Sequence, residues 1–435
     1  MFRIALVAAC FLLAVQSHPI EDLLQQPEEG GQIWAVIIAG SKNWYNYRHQ
    51  SDVCHLYHLL TKKHGIPKKN VITFMYNDIA FNEENPHQGV IINALHGKDV
   101  YEGVMIDYMG KDVTPQLFLD VLMGKDMEFG SRKSLKSGPK DTVFVNFVDH
   151  GGPGVLGFPA GELHVADLTK TLQTMYMDKH YKQMLWYVEA CYSGSMFDEL
   201  SPDMNITAHT ASNTKESSYA CVKDEEMDVY LGDCWSLNWM NNTEQIYPNL
   251  SKETVEEQYE IVKNMTTHSH ASIYGDLTYI YKEPISVFLG HPGSAIEVEP
   301  VSDWDYIYKP IPSQDVMMEY LKSKRDKSFD VEETEKLDAE IRYHILTEGK
   351  VQEVLDQISR QVTGSREMDT VFSRHPQTIA HPECNKGVLS AFFSQCYKMQ
   401  THPYITKYLY RLTNLCNAYN VKNIVSAVTD NCNCN

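Results

Sequence analysis

Residues 186–195 read WYVEACYSGS: an apolar run from Trp186 to Val188, a carboxylate at Glu189, then Cys191 among small and polar residues. Two readings of Cys191 are open at this point. It is a buried core thiol, or it is a nucleophile carried at the end of a strand. Extended upstream, the stretch becomes QMLWYVEACYSG (183–194), a short apolar run closed by glycine and serine, which is the pattern of a buried strand. Three more such runs precede it: QIWAVIIAG (32–40), NVITFMYND (70–78) and DTVFVNFVDHGG (141–152). Helical periodicity separates them, over 52–64 and over Glu162 to Tyr181. Alternation of this kind predicts an α/β fold, a mostly parallel sheet with helices on both faces.

In such sheets ligands bind outside the carboxyl ends of the strands. The four runs end in GSKNWYNYRHQ, NDIAFNEEN, DHGGPG and ACYSGS, and three of these carry candidate catalytic residue types. A thiol protease needs a thiolate, a base that maintains it and donors for the oxyanion. His150, followed by two glycines, ends one strand, and Cys191 ends the next. Adjacent strand ends lie about 5 Å apart, so one crevice can hold both. The N–H groups of Gly151 and Cys191 are the candidate oxyanion donors. Taken singly, a strand-end histidine or a lone cysteine is more often structural; the pair in consecutive strand-end loops favours catalysis. Metal chemistry lacks support, because His55 and His58 have no second ligand pair and H-E-x-x-H is absent. Serine hydrolysis lacks the G-x-S-x-G elbow.

The 435 residues carry a net charge of −19 with histidines neutral, which excludes a nucleic-acid backbone as the natural partner. The 18 histidines offset nearly all of that charge when protonated, a balance compatible with an acidic compartment. Ile4 to Val15 is an apolar stretch after Arg3, ending in the small-residue pattern V-Q-S. It is too short to span a membrane and reads as a secretory signal cut near Ser17. No later stretch is long enough to span. Sequons at Asn205, Asn241, Asn249 and Asn264 fit that route.

Cysteine usage agrees. Cys10 leaves with the signal, and Cys54 sits among apolar residues as an inert thiol. Cys221 and Cys234 are close enough in sequence to pair. Cys384, Cys396, Cys416, Cys432 and Cys434 crowd the C-terminal end as disulfide staples. Cys191 has no evident partner, and an unpaired thiol in a secreted chain is a candidate nucleophile.

Residues 291–315 hold four prolines and no helical pattern, and read as linker. Beyond them Leu337, Ile341 and Ile345 share one helical face, as do Val351, Leu355, Ile358 and Val362. Residues 388–428 also read as helices, so the C-terminal domain is all-α. Its charge is near neutral, which leaves the acidity upstream.

NWYNYRHQSDVCH, SLKSGPKDTVFVNFVDHGGPG, EACYSGS and ESSYAC together resemble the legumain family of asparaginyl endopeptidases, in the caspase-like clan of cysteine proteases. The resemblance runs from about residue 31 to the C-terminus. It implies a caspase-like sheet and five segments: a signal (1–17), an N-terminal propeptide (18–30), a catalytic domain (31–290), a linker and activation segment (291–330) and a helical, disulfide-stapled pro-domain (331–435). It implies Cys191 as nucleophile, His150 as its partner and Asn46 as the group orienting the histidine. Arg48, His49, Glu189, Ser217, Ser218 and Asp233 match the specificity pocket, and Asp149 matches a succinimide-forming aspartate linked to ligation. Disulfides Cys384–Cys416 and Cys396–Cys432 follow from the resemblance, with Cys434 left over. So do peptide and protein substrates containing asparagine, the chain's own pro-domain as inhibitor and cystatin-type inhibitors as partners, no metal or organic cofactor, and a lysosomal, endosomal or secreted location.

The pocket has a physical logic. An asparagine side chain offers one acceptor and one donor group. Arg48 satisfies the first, and Glu189 or Asp233 the second. Substrate aspartate is repelled when ionised and becomes a near-isostere of asparagine only toward its pKa of about 3.9.

Two positions depart from the family pattern. Tyr192 replaces the usual glutamate after the nucleophile. No asparagine lies between Val301 and Tyr343, so Asp326 and Asp330 are the candidates for a self-activating cut. A catalytically silent secreted binding protein of the same fold and a lipid-anchor transamidase are the rival readings. Intact His150 and Cys191 argue against the first, and the helical C-terminal end against the second.

Overall fold

The computed structural model describes residues 30–246, 248–291, 309–364 and 378–432. The expected signal, the expected N-terminal propeptide apart from Gly30, Cys10 and Cys434 therefore lie outside the described residues.

In chain order the strands are β1 (Ile33–Ala39), β2 (Val71–Met75), β3 (Tyr108–Met109), β4 (Thr142–Val148), β5 (Gly151–Gly152), β6 (Val155–Gly157), β7 (Glu162–His164), β8 (Gln183–Glu189), β9 (Ile206–Thr210), β10 (Tyr219–Asp224), β11 (Val229–Asp233), β12 (Ser272–Gly275) and β13 (Ile311–Pro312). Seven of them form one sheet in the order β12-β9-β8-β4-β1-β2-β3. All neighbours in it pair parallel except β12, which is antiparallel to β9. The sequence reason is plain in IWAVIIA and TVFVNFV. A strand covered on both faces must be apolar at every position rather than at alternate ones.

The pleat sends successive residues to opposite faces. Ala35, Ile37 and Ala39 join one core with Leu185 and Tyr187, while Val36 and Ile38 join the other with Val145, Trp186 and Val188. Helices α1 (Tyr47–His58) and α4 (Cys234–Ile246) pack on the first face. Helices α2 (Pro115–Leu122) and α3 (Val165–Met177) pack on the second. α2 begins with Thr114 as cap, its side chain accepting from Leu117 N at 3.2 Å, and with Pro115 in the first turn. Two further helices, α5 (Val255–Met265) and α6 (Ser286–Leu289), complete this part.

Helix α1 begins at Tyr47, five residues before the expected start, so the segment read as a loop is itself structured. Arg48 and His49 lie in the first helical turn and Asn46 at its cap position. Polar and aromatic residues hid the period there, because this turn faces a polar site instead of the apolar core.

The span expected as linker is also built differently where it is described. Ile311–Pro312 is a strand antiparallel to β10, and α7 (Val316–Lys327) follows. Asp326 therefore lies in the last turn of α7. Asp330 caps α8 (Val331–Thr363), its Oδ1 accepting from Glu333 N at 2.9 Å.

Helix α9 (Pro382–Gln395) packs with α10 (Tyr410–Cys416) and α11 (Val421–Cys432), and the long helix α8 packs with the latter two. Val351, Leu355 and Ile358 meet Val388, Phe392, Ile424 and Val428 in its core. Ile345 is a correction to the expected stripe: it is 54% exposed, and His344 is buried in its place. A strict four-residue repeat drifts off a 3.6-residue helix, so the buried stripe returns by a three-residue step after Ile341. Disulfides join Cys221 to Cys234, Cys384 to Cys416 and Cys396 to Cys432, while Cys54 and Cys191 are free and buried. Asn205, Asn249 and Asn264 are exposed. Asn241 differs from these three: it is mid-helix in α4, 6% exposed, and its Oδ1 accepts from Gln245.

Candidate active site

β4 and β8 are adjacent and parallel, with Val148 opposite Glu189. Two residues on, the same offset sets His150 beside Cys191 at the carboxyl ends of the strands. Gly151 permits the approach, since a side chain there would run into the Cys191 carbonyl oxygen. The chain turns sharply after the cysteine. Tyr192 has φ 55° and ψ 20°, a left-handed conformation uncommon for a bulky residue, held by its N–H donating to Glu216 O at 2.8 Å.

His150 is oriented from the start of α1. Its Nε2 lies 2.9 Å from Asn46 Oδ1, and Asn46 Nδ2 donates to Lys42 O at 2.9 Å. With the amide fixed that way round, Nε2 carries the proton and Nδ1 is the basic nitrogen. Nδ1 has no partner among the described residues. Burial, then the neighbouring Arg48 charge, push the His150 pKa down to about 3. Burial raises the Cys191 thiol, against bonds from Ser217 and Ser218 that lower it. Its Sγ lies 3.1 Å from Ser217 Oγ and 3.8 Å from Ser218 Oγ. With the cleft covered, thiol and imidazole are a neutral pair.

A buried charged cluster lies alongside. Arg48 Nε donates to Asp233 Oδ1 at 2.9 Å and Nη1 to Tyr45 O at 3.3 Å, while Nη2 has no partner among the described residues. His49 sits between two carboxylates, with Nδ1 3.4 Å from Asp149 Oδ1 and Nε2 3.6 Å from Asp233 Oδ2. Its Nδ1 is also 2.6 Å from Ser41 Oγ. Burial, then Arg48 and His150, hold the His49 pKa well below normal. Burial pushes Asp149 up to about 8, and Glu189 well above the carboxylate range with Asp233 adding to it. Glu189 Oε2 accepts from Ser236 N at 3.0 Å and Ser236 Oγ at 3.1 Å, which ties it to the start of α4. His49, Asp149 and His150 bring three ligand-type atoms within 4.8 Å of one another.

The strap at 311–315 carries no periodic signal in the sequence. Ile311 and Pro312 pair with Ala220 and Tyr219, as an added strand on the β10 edge. Ser313 N then donates to Ser218 O at 2.9 Å, and Ser313 Oγ donates to Asp233 Oδ1 at 3.4 Å. Gln314 Nε2 donates to Thr406 Oγ1 at 2.7 Å. Thr406 and Leu409 close over Gly152, where an added side-chain carbon would meet them at 3.7 and 3.1 Å. The strap and the segment before α10 thus cover both sides of Cys191. The available signal was Pro310 and Pro312 flanking β-branched Ile311, a pattern that suits an edge strand.

Comparison with known proteins gives the family. Residues 33–291 match the Peptidase C13 family, and residues 335–432 match the legumain prodomain. The chain is 41% identical to bovine (Bos taurus) legumain over 98% of both chains. It is 42% identical to human (Homo sapiens) legumain over 93% of this chain and 92% of that one. To the hemoglobinase of Schistosoma japonicum it is 38% identical over 92% of each. Joined to a buried thiol beside an oriented histidine under a helical cover, these likenesses show that the chain belongs to the Peptidase C13 family, as an asparaginyl cysteine endopeptidase made as a zymogen with its own inhibitory pro-domain.

Proposed function

We propose that Cys191 is the nucleophile and His150 the base of this endopeptidase. The observation that supports it is the free Nδ1 of a histidine whose Nε2 is anchored on Asn46. His150 Nδ1 takes the thiol proton, and the thiolate adds to the carbonyl carbon of the substrate asparagine. Gly151 N–H and Cys191 N–H donate to the oxyanion. His150 returns the proton to the leaving amine, and water then releases the acyl group from sulfur. Arg48 Nη2, which has no partner among the described residues, donates to the side-chain oxygen of the substrate asparagine. Asp233 and Glu189 face its amide donors, with Ser217 and Ser218 lining the pocket and His49 bridging Asp149 to Asp233. Protonated aspartate fits the same pocket, which extends cleavage to aspartate in acid. Asp149 is the succinimide candidate and the link to ligation.

The same reading makes a cut at Asp326 or Asp330, in acid, the self-activating step. It assigns the chain to the secretory route, in a lysosomal, endosomal or secreted acidic setting, glycosylated at the exposed Asn205, Asn249 and Asn264. Cystatin-type inhibitors would compete for the cleft that the strap occupies. Covalent labelling by an asparagine-directed electrophile after acid treatment tests the centre. Labelling lost in Cys191→Ser and retained in Cys54→Ser is expected. Labelling that survives in Cys191→Ser overturns the assignment.

A further inference from the structure

The connector between α7 and α8 is three residues long, Ser328–Phe329–Asp330. Phe329 is 102% exposed and Val331 is 74% exposed. A phenylalanine side chain normally buries 150–250 Å², and this one buries nothing. Its neighbours are as bare. From Asp326 to Lys336 only Ser328 and Thr334 are half-buried, and the first buried side chain of α8 is Leu337. The first six residues of α8 thus add nothing to the core. They are held by the Asp330 cap, by Ser328 Oγ donating to Glu333 Oε2 at 2.7 Å, and by the exposed Lys336–Glu332 pair at 2.7 Å. Surface bonds of this kind are each worth about 1 kcal/mol or less. A protease binds an extended segment, and here that segment unravels without loss of burial.

We propose that this connector is a maturation site for a second endopeptidase, one whose recognition pocket takes a bulky apolar side chain. The inference rests on the zymogen reading above. Phe329 does not suit the chain's own pocket as proposed, because a phenyl ring offers no acceptor to Arg48 Nη2, which has no partner among the described residues, and no donor to the pocket carboxylates. The flanking aspartates serve that pocket only in acid. Phe329 therefore provides a cut that does not depend on acidification. The step is plain hydrolysis: water adds across one peptide bond, leaving a carboxyl and an amine. A pocket directly before the scissile bond cuts Phe329–Asp330, and a pocket one residue earlier cuts Asp330–Val331. Either cut severs the covalent link from α7 and the strap to α8 and everything after it, so that the pro-domain is held by non-covalent contacts alone.

The test uses the full-length Cys191→Ser zymogen at neutral pH, with chymotrypsin for the first kind of pocket and papain for the second. Incubation without added protease checks the zymogen reading separately, because self-processing there would remove Cys191 from its role and leave the connector untouched. The expected result is a first cut between Phe329 and Val331 by intact mass, slowed at least tenfold in Phe329→Ala. Nicking should also restore asparagine-peptide activity on later acidification to an Asp326→Ala/Asp330→Ala zymogen. First cuts elsewhere, equal rates in Phe329→Ala, or a nicked double variant that stays silent would each overturn the proposal.

Discussion

Arg48 donates from Nε to Asp233 Oδ1 at 2.9 Å, both side chains being buried, and keeps Nη2 without a partner among the described residues. Nε and Nη1 hold the group in place, and Nη2 is the nitrogen proposed to meet the substrate asparagine. A charged hydrogen bond of this kind is worth about 1.5–3 kcal/mol. Arg48→Ala should lower kcat/KM on an asparagine peptide at least tenfold. Arg48→Lys should rescue little, because an ammonium cannot serve both partners with fixed geometry. Kinetics of the activated enzyme check this, and unchanged values would remove Arg48 from the pocket.

Cys191→Ser and His150→Ala should each abolish cleavage, and the double variant should be no worse, since the pair acts as a unit. Thermal stability should change little in Cys191→Ser. Asn46→Ala should keep some activity but alter the pH–rate profile, because it frees the ring it orients. Loss of kcat with an unchanged profile would make Asn46 a packing residue only.

Tyr192 is buried beside the nucleophile position, in the cleft that the strap and the pro-domain cover. Tyr192→Glu places a carboxylate there, and burying an unpaired charge is unfavourable by several kcal/mol. The zymogen should melt earlier and release its pro-domain more readily. In the mature enzyme the new carboxylate should raise the His150 pKa and shift the pH–rate profile or the ligation-to-hydrolysis ratio. Identical melting and identical profiles would mark the position as a bystander.

Two pH effects of opposite sign follow from burial. Asp149 is raised to about 8, so its ionisation opposes folding increasingly as pH climbs from about 4 toward that value. Asp149→Asn should remove that loss and gain stability over the parent at neutral pH, with little difference in acid. In the pro-domain, His344 and His402 rings lie 5.7 Å apart and are lowered by burial, His402 further by His344. They face Tyr343, Tyr397 and Tyr404, with Thr401 on His402 and Glu340 and Lys324 lining the adjoining 770 Å³ cavity. A histidine lowered in the folded state contributes stability above about pH 6.5 and loses it as pH falls. His344→Gln with His402→Gln should flatten the acid-induced release of the pro-domain. Melting curves across pH in the Cys191→Ser background check both effects.

The proposed self-activating cut requires the aspartate to be protonated. Processing after Asp326 or Asp330 should be absent at neutral pH and appear on acidification. Asp326 must also leave its helical turn and its bond to Arg325, so Asp330 should be cut first. Intact mass of the matured chain, with single and double alanine variants, reads the order. An unchanged product in the double variant means that another protease makes the cut.

The sequence by itself determined the sheet, because strands covered on both faces must be apolar throughout and IWAVIIA, TVFVNFV and QMLWYVE are. It also determined which strand ends hold His150 and Cys191. What lay beyond it depends on distant partners. Arg48 meets Asp233 across 185 residues, and Ser313 meets Ser218 across 95. No local period encodes such pairs. The strap illustrates this best: two prolines around one isoleucine form a strand only because the β10 edge supplies the other half of the hydrogen bonds. His344 displaced Ile345 from the buried face for a similar reason, since Tyr404 from another segment takes its ring nitrogen at 3.2 Å. Periodicity reports which residues avoid water, whereas tertiary packing decides which polar groups find one another inside.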